Sequence, residues 1–153
     1  MSTTRVTRRI DASPPAVYRA LLDPDAVQQW MVPDGMTSEV HEFDASEGGR
    51  FRISLTYEEP TDTGKTTEQT DSFHGRFVRL VPDSEVVQVI EFETDDPTLQ
   101  GEMTVTYTLV AAADGSTELT GLHEDVPPSV DPEQNELGWT MSLGKLAALV
   151  EHH

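Results

Sequence analysis

The 153-residue chain contains no cysteine, which removes thiol nucleophiles, disulfides, Cys-ligated zinc and iron–sulfur clusters from consideration. Lysine is nearly as scarce: Lys65 and Lys145 are the two in the chain, and 10 basic side chains stand against 28 acidic ones, for a formal net charge of −18. Between Leu80 and Gly144 there is no Lys or Arg at all. Nucleic-acid backbones and anionic membranes are bound through Lys and Arg, so neither is expected as a partner. No apolar run exceeds that of Leu146-Ala147-Ala148-Leu149-Val150, so no signal peptide, transmembrane helix or membrane insertion is expected, and the default location is the cytoplasm. Val150-Glu151-His152-His153 reads as the start of a cloning tag, which leaves 1–150 as a single domain and 151–153 as a tag remnant.

A chain of this length buries about 70% of the surface its unfolded form exposes, enough for a core without staples. Thr4 to Ile10 reads as a strand. Ser13-Pro14-Pro15 then offers an N-cap followed by Pro in the first turn of a short helix, and Asp23-Pro24 repeats that start signal for a second one running to Trp30, stopped by Pro33-Asp34-Gly35. From Met36 to Glu124 apolar and polar residues alternate, as strands require. Phe51, Ile53, Leu55 and Tyr57 share one face of the run Arg50 to Tyr57, and Met103, Val105, Tyr107 and Leu109 share one face of another. Turns at Glu47-Gly48-Gly49, Val81-Pro82-Asp83-Ser84 and Ala113-Asp114-Gly115-Ser116 join neighbouring strands into hairpins. Asp131-Pro132-Glu133-Gln134 opens a long last helix, with Gln134 placed to reach back to the cap. Trp139, Leu143, Leu146 and Val150 draw one apolar stripe along it, and Lys145 falls toward its C-terminus, where the macrodipole favours a cation.

The expected class is therefore α+β: a curved antiparallel sheet of about seven strands, two short helices and a long C-terminal helix. Ala12-Ser13-Pro14-Pro15-Ala16-Val17-Tyr18-Arg19-Ala20-Leu21 with Trp30, Gly48-Gly49-Arg50-Phe51, His74-Gly75-Arg76-Phe77 leading to Leu80-Val81-Pro82, and Gly138-Trp139 with Leu143 and Leu146 extend over nearly the whole chain in order. Together they resemble the AHSA1-like (activator of Hsp90 ATPase homologue 1-like) branch of the START/polyketide cyclase/Bet v 1-like (SRPBCC) superfamily. The resemblance implies a helix-grip fold with a cavity between the concave sheet face and the terminal helix. Folds of this kind host binders, carriers, cyclases and hydrolases, so the likeness speaks to architecture before activity.

The cavity lining this implies is Trp30, Phe51, Ile53, Leu55, Phe73, Phe77, Ile90, Phe92, Met103, Val105, Tyr107, His123, Trp139, Leu143 and Leu146, residues that would equally serve as an ordinary core. Trp30 is explained as well by stapling the short helices to the core as by flanking the cavity mouth. His123, at the end of the last strand and facing the terminal helix, is the best acid–base candidate, or else a histidine hydrogen-bonded at the cavity rim. His74 alternates opposite Phe73 and Phe77 and should point outward, and His41 lies between Glu39 and Glu42 with no stronger claim. Arg50 and Arg52 should lie outside, paired with carboxylates. Glu102 and Tyr107 are the remaining polar groups able to reach the cavity, Tyr107 being the better placed.

Neither G-x-G-x-x-G, a Walker sequence, H-E-x-x-H, an EF-hand loop nor G-x-S-x-G occurs, so no cofactor, no metal and no catalytic residue is assigned. Asp95-Asp96-Pro97 reads as a solvated turn. The leading functional expectation is binding of a small hydrophobic or aromatic molecule, such as a lipid, a flavonoid or a polyketide-like compound. The alternative is a cyclase- or dehydratase-like enzyme in which His123 and Tyr107 move protons. An interaction with Hsp90 ranks last, because activators of that class resemble a two-domain arrangement and this chain reads as one domain.

Overall fold

The structure, a computed structural model, describes residues 2–32, 35–57 and 70–151. The expected Pro33-Asp34 stop signal and His152-His153 lie outside the described residues. The elements in chain order are β1 (Ser2–Ile10), α1 (Pro14–Leu22), α2 (Pro24–Trp30), β2 (Met36–Phe43), β3 (Arg50–Tyr57), β4 (Thr70–Val81), β5 (Glu85–Phe92), β6 (Met103–Ala111), β7 (Thr117–Val126) and α3 (Pro132–Glu151). Among the described residues seven strands form one open antiparallel sheet in the order β1-β7-β6-β5-β4-β3-β2. The chain thus passes from one sheet edge to the other through α1 and α2, and every later strand pairs with its predecessor as a hairpin.

Local chemistry accounts for the helix boundaries. Pro14 and Pro15 occupy the first turn of α1, where a missing N–H costs nothing. Asp23 ends α1 in an extended conformation and its carboxylate accepts from the Asp25 N–H at 3.0 Å, capping α2. Pro24 has a second effect. The Ala20 carbonyl would ordinarily accept from the N–H four residues on, but that residue is proline and has none. Its donor is instead the Trp30 indole, Nε1 to O 2.9 Å, and the Trp30 ring is fully buried. Trp30 is therefore the staple between the short helices and the core, and it does not flank the cavity mouth.

α3 packs against β1, α1 and α2 and buries Leu143, Leu146 and Val150 of the expected stripe, together with Ser142 and Ala147, while Trp139, the first residue of that stripe, is half-buried. Its N-terminus is closed by the Asp131 carboxylate, which accepts from the Glu133 N–H at 3.0 Å. Lys145 does not serve the helix C-terminus: its ammonium reaches sideways to the Val32 carbonyl at 2.7 Å and ties α3 to the exit of α2. On the sheet, Phe51, Phe77 and Phe43 cluster at one end, with ring centroids 5.1 to 6.2 Å apart. Gly75 is required beneath them, since a Cβ there would lie 2.2 Å from the Val89 carbonyl oxygen and 2.8 Å from the Phe51 ring.

The convex face carries the charges. Arg52 grips Glu93 through Nε and Nη2, His74 bridges Glu91 and Glu93, and Arg79 pairs with Glu85. His74 and Arg52 are thus outward, as alternation demands. Glu102 is outward too, paired with Arg76 at 3.1 Å, so it does not reach the cavity. His41 bonds the Ser54 hydroxyl at 2.8 Å on the same exterior. These pairs are exposed, and pairs of that kind add little to stability.

Candidate functional site

A cavity of about 480 Å³ lies between the concave sheet face and α3. Its floor is built by alternate residues of five strands: Leu55 and Tyr57 from β3, Asp71 and Phe73 from β4, Gln88, Ile90 and Phe92 from β5, Val105 and Tyr107 from β6, and His123 from β7. α3 supplies Gln134, Asn135, Trp139, Met141 and Ser142, with the half-exposed Leu137 at the rim, while Met31 and Met36 close the end beyond α2. Eight of the expected lining residues meet here: Leu55, Phe73, Ile90, Phe92, Val105, Tyr107, His123 and Trp139. Trp30, Phe51, Ile53, Phe77, Met103, Leu143 and Leu146 lie off its wall, packed in the hydrophobic core.

Sheet register fixes who touches whom. His123 pairs across β6 with Val105, and Val105 pairs across β5 with Gln88, so the three form one row over three strands. Tyr107 stands one step along, opposite Gly121 and Val86. Because Gly121 has no side chain, the Trp139 ring settles over it and makes centroid contacts of 5.8 Å with Tyr107 and 5.7 Å with His123.

His123 is 4% exposed and both of its nitrogens are engaged. The Trp139 indole N–H donates to Nδ1 at 3.2 Å, and Asn135 Nδ2 lies 3.1 Å from the same nitrogen while also bonding Thr4 Oγ1. An indole can only donate, so Nδ1 is the bare acceptor and the proton sits on Nε2, 3.2 Å from the Met103 sulfur. Burial lowers the imidazole to about 4, so it is neutral at pH 7 and a weak base. The arrangement is that of a histidine locking α3 to the sheet.

Tyr107 is 1% exposed, and its hydroxyl is sealed from solvent with no hydrogen-bond partner among the described residues. Burial raises the phenol well above its ordinary range, so it cannot act as a base near neutrality. An orphaned buried hydroxyl costs about 1–3 kcal/mol. Tyr107→Phe is therefore expected to stabilise the ligand-free protein by about 1 kcal/mol, read as a higher urea midpoint with an unchanged slope. A lower midpoint would mean that the hydroxyl is partnered in solution.

Gln88 and Asp71 are wall residues that sequence reasoning missed. Each shares strand parity with residues it placed inward, Gln88 with Ile90 and Phe92 and Asp71 with Phe73, and that parity is the signal that finds them. No group of three or more His, Asp or Glu able to hold a metal occurs among the described residues. Asp95-Asp96-Pro97 is an exposed turn, closed by Thr98 N–H and hydroxyl bonds to the Asp96 carboxylate.

The architecture defines a helix-grip domain, a curved antiparallel sheet with its C-terminal helix packed over a cavity. The family model described as activator of Hsp90 ATPase homolog 1-like protein matches residues 11–151, and the chain belongs to that family, the AHSA1-like branch of the SRPBCC fold. No curated protein matches the chain. Among solved structures, a protein from Chromobacterium violaceum is 36% identical over 99% of this chain and 98% of its own, with a TM-score of 0.87. A protein from Rhodobacter sphaeroides is 20% identical with a TM-score of 0.79, covering 97% of this chain and 91% of that one. A protein of the dynemicin biosynthetic locus is 22% identical with a TM-score of 0.69 over 99% of this chain and 48% of its own, a likeness of fold. No helix among the described residues is long and apolar enough to cross a membrane.

Proposed function

We propose that this chain binds a small, largely apolar or aromatic molecule in the cavity between the sheet and α3. The observation that carries the reading is the cavity itself. A space of about 480 Å³ persists inside a chain that fully buries Trp30, Phe77, Met103 and Leu143 around it. That volume falls in the range of about 300–1,000 Å³ typical of small-molecule sites, and a wall of Phe, Tyr, Trp, Leu, Ile and Met with a few inward polar groups is the usual composition. Met31 and Met36 at one end and Met141 on α3 line the cavity with flexible thioethers that can conform to different shapes.

The cyclase-like alternative needs His123 and Tyr107 to move protons on one substrate, and both are poorly disposed for it. His123 spends its nitrogens on Trp139, Asn135 and Met103, and the Tyr107 hydroxyl does not open to the cavity space. The dynemicin-locus neighbour supports a shared fold and adds no residue to that chemistry.

A ¹H–¹⁵N shift titration against lipids, flavonoids and polyketide-like aromatics tests the binding reading. Perturbations are expected at Val105, Tyr107, Met141 and the Trp139 indole N–H, with the convex-face residues Arg52 and Arg76 still. Silence at those positions across the whole set would sink it.

A further inference from the structure

We propose that the cavity selects an uncharged ligand whose polar end carries an adjacent hydrogen-bond donor and acceptor, read by the Gln88 amide, and that it rejects the carboxylate of the same body. The inference rests on the cavity being a binding site and names the chemistry it admits.

Gln88 is 4% exposed, set in the cavity wall at the middle of β5. Its strand neighbours on that face are Val86 and Ile90, its cross-strand partners are Val105 and Phe77, and Tyr107 stands diagonally across β6. None of these flanking side chains offers it a bond, and its amide has no hydrogen-bond partner among the described residues. Such an amide in an apolar wall costs stability unless something in the cavity satisfies it. A primary amide presents an N–H donor beside a carbonyl acceptor, so its full complement is a group with the same pair reversed, as in a carboxamide, a lactam or an enolised β-dicarbonyl.

Charge sharpens the choice. The described cavity wall holds the carboxylates of Asp71 and Asp131 and no Lys or Arg, and His123 is neutral there. Lys145, the lysine of α3, is committed to the Val32 carbonyl, and Arg52 and Arg76 pair with Glu93 and Glu102 on the opposite face of the sheet. An anion entering this cavity would lose its hydration, meet no cation among the described wall residues, and set one oxygen against the Gln88 carbonyl. Fatty acids, acyl phosphates and carboxylated aromatics are therefore the wrong class.

The test uses a matched pair of probes on the full chain at pH 7, 2-naphthamide and 2-naphthoate, titrated by ¹H–¹⁵N shifts. We expect the amide to bind at least tenfold more tightly than the carboxylate. Gln88→Met, which keeps the length of the side chain and removes the orphaned amide, should fold at least as stably, weaken 2-naphthamide about tenfold and leave 2-naphthoate little changed. Equal or tighter binding of 2-naphthoate overturns the proposal while leaving the cavity a binding site. An amide preference that survives in Gln88→Met overturns the role of Gln88. If neither probe moves any cavity resonance, the binding reading falls and this inference with it.

Discussion

Trp30→Ala is expected to destabilise the protein by about 4 kcal/mol, measured by urea unfolding, the largest loss we anticipate from any single truncation. The ring is fully buried where α2 meets β6, edge-on to Tyr107 at a centroid distance of 6.1 Å. Truncation removes that packing, opens a void beneath both short helices and strips the Ala20 carbonyl of the donor that Pro24 cannot supply. Against a typical domain stability of about 5–15 kcal/mol, the variant would be marginal. Trp30→Phe separates the two contributions, because it keeps an aromatic ring and loses the N–H. Its cost should be about 1–3 kcal/mol, the penalty of an unsatisfied buried carbonyl plus a small void. Trp30 does not line the cavity, so Trp30→Phe should leave affinity for any cavity ligand unchanged. A loss below about 1.5 kcal/mol in Trp30→Ala would show that the staple is dispensable.

The distinction between staple and site bears on what the sequence makes legible. Strand parity is strongly specified because a one-residue slip would turn Phe51, Ile53 and Leu55 to solvent, and β3 runs from Arg50 to Tyr57 as alternation requires. Pro and Asp at the helix starts made α1 and α2 readable for a similar reason: the signals are local and chemical. Depth along the concave face is not local. Whether an inward residue lies in the packed end, as Phe51 and Phe77 do, or on the cavity wall, as Phe73 and Ile90 do, depends on where α3 crosses the sheet, and no alternation pattern encodes that. Gln88 is harder still, because Val86-Val87-Gln88-Val89 is apolar on both faces and a lone polar residue there looks like an outward one. Only the parity of Ile90 and Phe92 assigns it inward. Lys145 shows the same limit, since helical position alone does not reveal that the Val32 carbonyl lies within reach of its ammonium.

Lowering the pH from 7.5 to 4 is expected to remove about 3 kcal/mol of stability through His123 alone, the second large effect. The folded imidazole titrates at about 4 against an ordinary value of 6.5, with burial as the cause. A proton therefore binds the unfolded chain first, so the contribution is fully present above about pH 6.5 and is lost progressively as the pH falls toward 4; 2.5 units correspond to about 3 kcal/mol. The side chains around the ring are Trp139 and Asn135 from α3 and Met103 from β6, none of them charged, so no carboxylate compensates the imidazolium. Once protonated, Nδ1 would confront the Trp139 N–H donor to donor, and the lock between α3 and β7 would break. Other groups titrate elsewhere or oppositely. Glu93, Asp96 and Asp114 are held below their usual values by bonds made to the ionised form, so their stabilisation begins to fall as the pH drops through the ordinary carboxylate range and is lost mostly below pH 4, while neutralising part of a −18 chain relieves repulsion. His123→Asn isolates the histidine, because Asn Oδ1 can stand in the place of Nδ1 as acceptor for the Trp139 indole without gaining a proton. The stability of His123→Asn relative to wild type, from urea unfolding at several pH values, should rise by about 3 kcal/mol between pH 7.5 and 4. A difference independent of pH would show that His123 is not the neutral, buried acceptor that joins α3 to the sheet.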